Sequence, residues 1–275
     1  MSENFNKSMA REHIPSLVMD WIRQKAPGAV VRFGEGEGRL LYARPDDDQS
    51  ISVACKKLFR QTGIRFSSKE MFKVRSIILN AFDEADVVGI KGDASFKEEH
   101  KGWISKIESM FEERASVRRR PSIVTHCLVS VDLYNNLSSL LDGQQKISVI
   151  SCRNLAPVIE ERYGVKDICV YQIPSQYIVR EVDDEYEAAL HGVRIWPGFY
   201  SELRSSLKVR EPGEIFLVGG GLFGKDLCIR IRELGGIALD LGSCLDKMAG
   251  KATRGRKAPH RQRLIKANSL SSDFL

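Results

Sequence analysis

Hydrophobic and polar positions along the chain alternate between two rhythms. Short apolar runs bounded by turn residues occur at Ala29-Val30-Val31-Arg32-Phe33, Asp86-Val87-Val88-Gly89-Ile90, Lys146-Ile147-Ser148-Val149-Ile150 and Ile168-Cys169-Val170-Tyr171. Two more, Glu214-Ile215-Phe216-Leu217-Val218 and Ile237-Ala238-Leu239-Asp240-Leu241, lie near the C-terminus, and Ser122-Ile123-Val124-Thr125 is a weaker case. Runs of this length and composition read as strands. Between them the apolar spacing becomes helical. A first helix is expected from Ile14 to Lys25, and a second carries Met71, Val74, Ile77, Ile78 and Ala81 on one face. Further helices are expected around Ala156 to Tyr163 and from Gly224 to Leu234. Strand and helix in alternation predict an α/β fold, a Rossmann-like, mostly parallel sheet flanked by helices. The periodicity fades beyond Asp246, so a single domain over residues 1–254 is expected, followed by a flexible basic tail over 255–275.

Charge sharpens that division. The 275-residue chain carries a formal +6. The segment from Lys247 to Leu275 holds eight Lys/Arg against one acid, leaving the rest of the chain at about −1. The basic balance belongs to the tail, and nucleic acid is not the expected partner of the body. No apolar run reaches the ~20 residues of a membrane-spanning helix, and the first residues lack an apolar signal core. The six cysteines stand singly, with no C-x-x-C pair, as expected of free thiols in a reducing cytoplasm.

The chemistry concentrates in two glycine-rich loops. The late loop, Gly219-Gly220-Gly221-Leu222-Phe223-Gly224-Lys225, follows an apolar strand and opens a helix, matching G-x-G-x-x-G. Glycines there let a diphosphate approach backbone N–H groups at the helix N-terminus, and Lys225 places a cation beside it. Asp240 ends the next strand, where folds of this class set an acid against a ribose hydroxyl. Alone, this unit suggests a dinucleotide enzyme, an NAD(P)-dependent oxidoreductase. The early loop, Arg32-Phe33-Gly34-Glu35-Gly36-Glu37, is expected to be extended, with both carboxylates facing one cavity. Two acids that close call for a divalent cation, and oxygen ligands favour Mg²⁺ or Mn²⁺, which complete their shell with substrate phosphates.

Together, the R-F-G-E-G-E run, the Val218–Lys225 loop and the later Gly235-Gly236-Ile237-Ala238-Leu239-Asp240-Leu241-Gly242-Ser243 run resemble the bacterial glycosyltransferases of the GT-D fold. The resemblance spans most of residues 27–254, with Glu35 standing where that family's R-x-G-D-G-E signature has Asp. It implies transfer of a sugar from a nucleotide-diphosphate donor, a UDP-sugar, to a hydroxyl acceptor on a glycan, glycopeptide or small molecule. By the same resemblance Glu35 and Glu37 bind the metal, and Arg32 supports them or binds donor phosphate. Gly219, Gly220, Gly221 and Lys225 flank the diphosphate, and Asp240, Ser243 and Asp246 follow the last strand at the ligand edge. Asp246 is the candidate general base, since inverting transfer needs a carboxylate to take the acceptor proton; a helix cap is the competing reading of that residue. A non-catalytic nucleotide-binding relative also fits these features. Arg153, His126, His191 and Trp196 are lesser candidates at strand ends and loops.

Overall fold

The computed structural model describes residues 6–90, 122–175 and 185–251. The expected basic tail over 255–275 lies outside them, as does the side chain of Glu35. Eight strands form one sheet: β1 (Asn6–Ser8), β2 (Gly28–Arg32), β3 (Val87–Ile90), β4 (Ser122–His126), β5 (Lys146–Ser151), β6 (Asp167–Gln172), β7 (Ile215–Val218) and β8 (Ile237–Asp240). Their order is β1-β4-β3-β2-β8-β7-β5-β6, and every neighbouring pair is parallel. The expected α/β Rossmann-like architecture is therefore the observed one.

Parallel sheets of this kind are covered on both faces, and the central strands alternate accordingly. In β2, Ala29 and Val31 enter one core and Val30 the other; in β7, Phe216 and Val218 oppose Ile215 and Leu217. The first core is closed by α2 (Glu35–Tyr42), α3 (Asp48–Thr62), α4 (Ser68–Glu84), the helix Tyr200–Ser206, which is α9, and α10 (Gly224–Glu233). The second is closed by α1 (Ile14–Gln24), α5 (Val129–Asn135), α6 (Leu137–Leu140), α7 (Ala156–Tyr163) and α11 (Cys244–Met248). One further short helix, α8 (Glu185–Ala188), precedes α9.

Local chemistry sets the helix ends. Ser67 and Glu70 exchange hydrogen bonds in a capping box that starts α4, the Ser67 hydroxyl accepting from the Glu70 N–H at 3.3 Å and the Glu70 carboxylate from the Ser67 N–H at 2.9 Å. Asp47 caps α3 by accepting from the Ser50 N–H at 3.1 Å. Among the described residues no helix is long and apolar enough to cross a membrane.

What positions a site is the winding. From β5 the chain moves outward through α7 to the edge strand β6, whereas from β7 it moves inward through α10 to β8. Helices α7 and α10 belong to opposite cores, so the loops leaving neighbouring strands β5 and β7 diverge. The loops leaving β8 and β2 diverge in the same manner, towards α11 and α2. Such switch points open crevices at the carboxyl ends of the strands, where ligands of doubly wound sheets bind.

Candidate functional site

Four charged residues from separate elements meet at that carboxyl edge. Arg32 ends β2, and its backbone N–H donates to Asp240 Oδ2 at 3.2 Å. Asp240 ends β8 and is 1% exposed. Lys225, in the first turn of α10 and 2% exposed, reaches back across the sheet edge. Its Nζ donates to the Gly221 carbonyl at 3.0 Å and pairs with Asp240 Oδ2 at 3.3 Å and Glu37 Oε1 at 3.2 Å. An ammonium has three protons, and three oxygens take them.

The early loop corrects the sequence expectation. Residues from Glu35 onward are helical, forming α2, and are not extended. Gly34, in an extended conformation, precedes the helix, and its N–H donates to Glu37 Oε2 at 3.0 Å. The helical Gly38 N–H to Gly34 carbonyl bond is already closed at 3.1 Å. The two-residue spacing that would aim both carboxylates into one cavity belongs to a strand. Glu37 is turned inward, with Oε1 on Lys225 and Oε2 on its own helix start. Burial pushes its carboxyl pKa up, but Lys225, backbone N–H groups and Arg32 outweigh burial and hold it at about 2.

That depression carries a pH dependence. A carboxylate whose folded pKa lies below its unfolded value of about 4.5 binds fewer protons when folded. Its contribution, on the order of 3 kcal/mol, is complete above pH 4.5 and is lost as pH falls towards 2. Urea titrations at stepped pH are expected to show this loss in the wild type and a much flatter acid limb in Glu37→Gln.

The late loop is built as its glycines suggested. Gly221 has φ +54°, the left-handed region. A Cβ on Gly220 would lie 2.6 Å from the Gly224 Cα and 3.0 Å from its N, so the turn closes only with glycine there. Gly219 donates its N–H to the Ile150 carbonyl at 2.8 Å, tying the loop to β5. The N–H groups of Gly221, Leu222 and Phe223 find no acceptor among the described residues, although Leu222 and Phe223 are buried. These N–H groups belong to the turn that leads into α10, whose own first N–H, from Gly224, donates to the Gly220 carbonyl at 3.0 Å.

An aromatic cluster secures the loop from the other side. Phe223 stacks on Trp196 with centroids 5.4 Å apart and planes 7° from parallel, and Tyr200 packs against both. The Tyr200 hydroxyl donates to Asp226 Oδ2 at 2.6 Å, and Arg204 Nε donates to the same oxygen at 2.7 Å. Burial and the adjacent Asp226 charge raise the Tyr200 pKa. Of this cluster the sequence singled out only Trp196, because an apolar stripe on a helix carries no mark of what it braces.

Past the end of β5 lies a second buried ion group. Arg153 is 2% exposed; its Nε donates to Asp246 Oδ1 at 3.0 Å and its Nη1 pairs with Glu187 of α8. The competing expectations for Asp246 resolve in part. Ser243, not Asp246, occupies the N-cap of α11 and makes no side-chain cap bond, while Asp246 lies within the first turn on Arg153. Glu187 had no sequence signal, being one acid among several in a polar stretch. His126 ends β4 with Nδ1 accepting from the Leu128 N–H at 3.2 Å, a local turn contact.

Two expectations tied to ligands fare differently against this geometry. Asp240, buried with Oδ2 engaged by Lys225 and Arg32, is not presented to a ribose hydroxyl. Nor do the described residues fit a divalent cation at Glu37, since both of its oxygens are committed. No group of three or more His, Cys, Asp or Glu is arranged to hold a metal among the described residues. None of the six cysteines is in a disulfide, and Cys127 and Cys228 are buried. Comparisons of the chain with protein-family models, with curated proteins and with solved structures found no match.

Proposed function

We propose that this chain is a glycosyltransferase that binds a nucleoside-diphosphate sugar, a UDP-sugar, at the carboxyl edge of its sheet. One observation carries the reading: the Glu37–Lys225 ion pair joins two glycine loops that lie far apart in sequence, the later of which is suited by itself to a diphosphate. Their meeting point borders the crevices where α/β folds take nucleotides. The diphosphate would lie over the Gly219–Phe223 turn, where the turn's open N–H groups and the α10 N-terminus favour an anion. In the transfer itself, the acceptor hydroxyl oxygen bonds to the anomeric carbon as the bond to the diphosphate oxygen breaks. The leaving nucleotide takes the electron pair, and a carboxylate takes the acceptor proton. Asp246, fixed by Arg153 and with its side chain 16% exposed, is the assigned base. The oxidoreductase alternative is disfavoured by the burial of Asp240.

Calorimetry with UDP, UDP-sugars and NADH tests the assignment. Saturable UDP or UDP-sugar binding is expected in the wild type. In Gly220→Ala affinity is expected to fall by at least about tenfold, because the added Cβ must push the turn away from α10. Circular dichroism of the same sample separates a displaced loop from an unfolded chain. Saturable NADH binding without any response to UDP would overturn the assignment.

A further inference from the structure

The Lys225 ammonium lies in a cage made only of oxygens: the Gly221 carbonyl, a Glu37 carboxylate oxygen and an Asp240 carboxylate oxygen, at 3.0, 3.2 and 3.3 Å. Two carboxylates and a backbone carbonyl are the ligand chemistry of a hard divalent cation. Here the N–O separations are those of charge-assisted hydrogen bonds, longer than the ~2.0–2.6 Å of Mg²⁺ or Ca²⁺ ligation. We infer that Lys225 is the resident cation of this site, occupying the position and the oxygen ligands a divalent metal would need, so that the protein binds its nucleotide without one.

The argument rests on charge and on valence. Arg32 and Lys225 bring two positive charges to the cluster, and Glu37 and Asp240 bring two negative ones. A dication added to that balance would sit with two cations, Lys225 buried and Arg32 partly so, and only two anions among the described side chains. To coordinate Glu37 and Asp240 it would have to expel Lys225, leaving an ammonium at a buried position with its acceptors gone. Lys225 does not leave by losing its proton, either. Burial pulls its pKa down, but Asp240 and Glu37 more than reverse this and raise it above the ordinary lysine value. The consequence for the nucleotide, resting on the proposed diphosphate site, is that its negative charge is met by the N–H groups of the turn that leads into α10 and not by a metal bridge.

Thermal melts of the wild type with EDTA and with millimolar Mn²⁺ or Mg²⁺ decide the matter, together with UDP calorimetry under both conditions. The expected results are no cation-dependent shift in melting temperature and UDP affinities equal within about twofold. Lys225→Ala is expected to reverse the first result. With the ammonium removed, the vacated oxygens accept Mn²⁺, and the cation raises the melting temperature of the variant alone. Should that variant fail to fold, the wild-type melts still decide. A Mn²⁺-dependent stabilisation of the wild type that disappears in Glu37→Gln overturns the inference, as does UDP affinity at least tenfold higher with Mn²⁺ than with EDTA. Absence of UDP binding under both conditions instead removes the nucleotide-sugar reading, and the cation melts judge the inference independently.

Discussion

Lys225→Met is expected to lower the stability of the fold by about 3–5 kcal/mol at neutral pH, because it deletes one side of a buried ion cluster and leaves Glu37 and Asp240 facing each other. Methionine nearly matches lysine in length, so the loss measures charge more than volume. The sign of its pH dependence distinguishes this from ordinary core damage. In the wild type, stability falls on acidification through the pH 4.5 to 2 window set by Glu37. In the variant, the stranded carboxylates gain affinity for protons in the folded state, since burial and like charge both favour their neutral forms. The folded variant then binds more protons than its unfolded chain, so its stability rises as pH falls from neutrality. Urea denaturation at pH 7 and pH 5 should show the gap between variant and wild type narrowing at the lower pH. A gap that stays constant would mean that Glu37 and Asp240 are not stranded by the loss of Lys225.

Arg153→Met should cost a similar amount, about 3–5 kcal/mol, for a related reason at a different place. The guanidinium neutralises Glu187 from α8 and Asp246 from α11, and its substitution leaves two carboxylates without that cation at the end of β5. Two controls locate the effect. Arg153→Lys keeps the charge but cannot present two arms of a planar fork, so it should fall between wild type and methionine. Adding Glu187→Gln to Arg153→Met should recover part of the loss, giving a coupling energy well outside the few tenths expected of independent sites. Strictly additive effects would remove Arg153 from the role of joining α8 to the sheet edge.

Much of this architecture is legible in the sequence, and the limits have physical causes. Strands β2, β3, β5, β7 and β8 announce themselves as short apolar runs because they are buried on both faces, whereas the edge strand β6 is only partly buried, and α4 shows helical spacing because its apolar face enters the core. β1 was invisible: Asn6, Lys7 and Ser8 form an edge strand by pairing with β4, which asks nothing of hydrophobicity. α2 reads as extended in the sequence, since two glycines in Glu35-Gly36-Glu37-Gly38 argue against a helix. Tertiary packing of Leu40 and Leu41 and the Glu37 bond back to Gly34 override that propensity. The site shows the same division. Glycine spacing pointed to the late loop because backbone conformation demands those residues. It could not show that the Lys225 charge is spent on Glu37 and Asp240, because that pairing depends on which strands become neighbours.

The central pair of the sheet also governs how the chain must assemble. β2 and β8 lie side by side, with Val30 opposite Leu239, and the Arg32–Asp240 hydrogen bond spans 208 residues. During synthesis, therefore, β2 emerges early and waits with one edge open until nearly the whole described chain has left the ribosome. Closing so long a loop is entropically costly and slow. In the interval, the apolar Ala29-Val30-Val31 backbone is a template for mispairing. Any chain ending before residue 237 lacks β8, one of the two neighbours of β2, and with it the Asp240 oxygen of the Lys225 cage, so truncation products should collect as aggregates and not as a smaller folded domain.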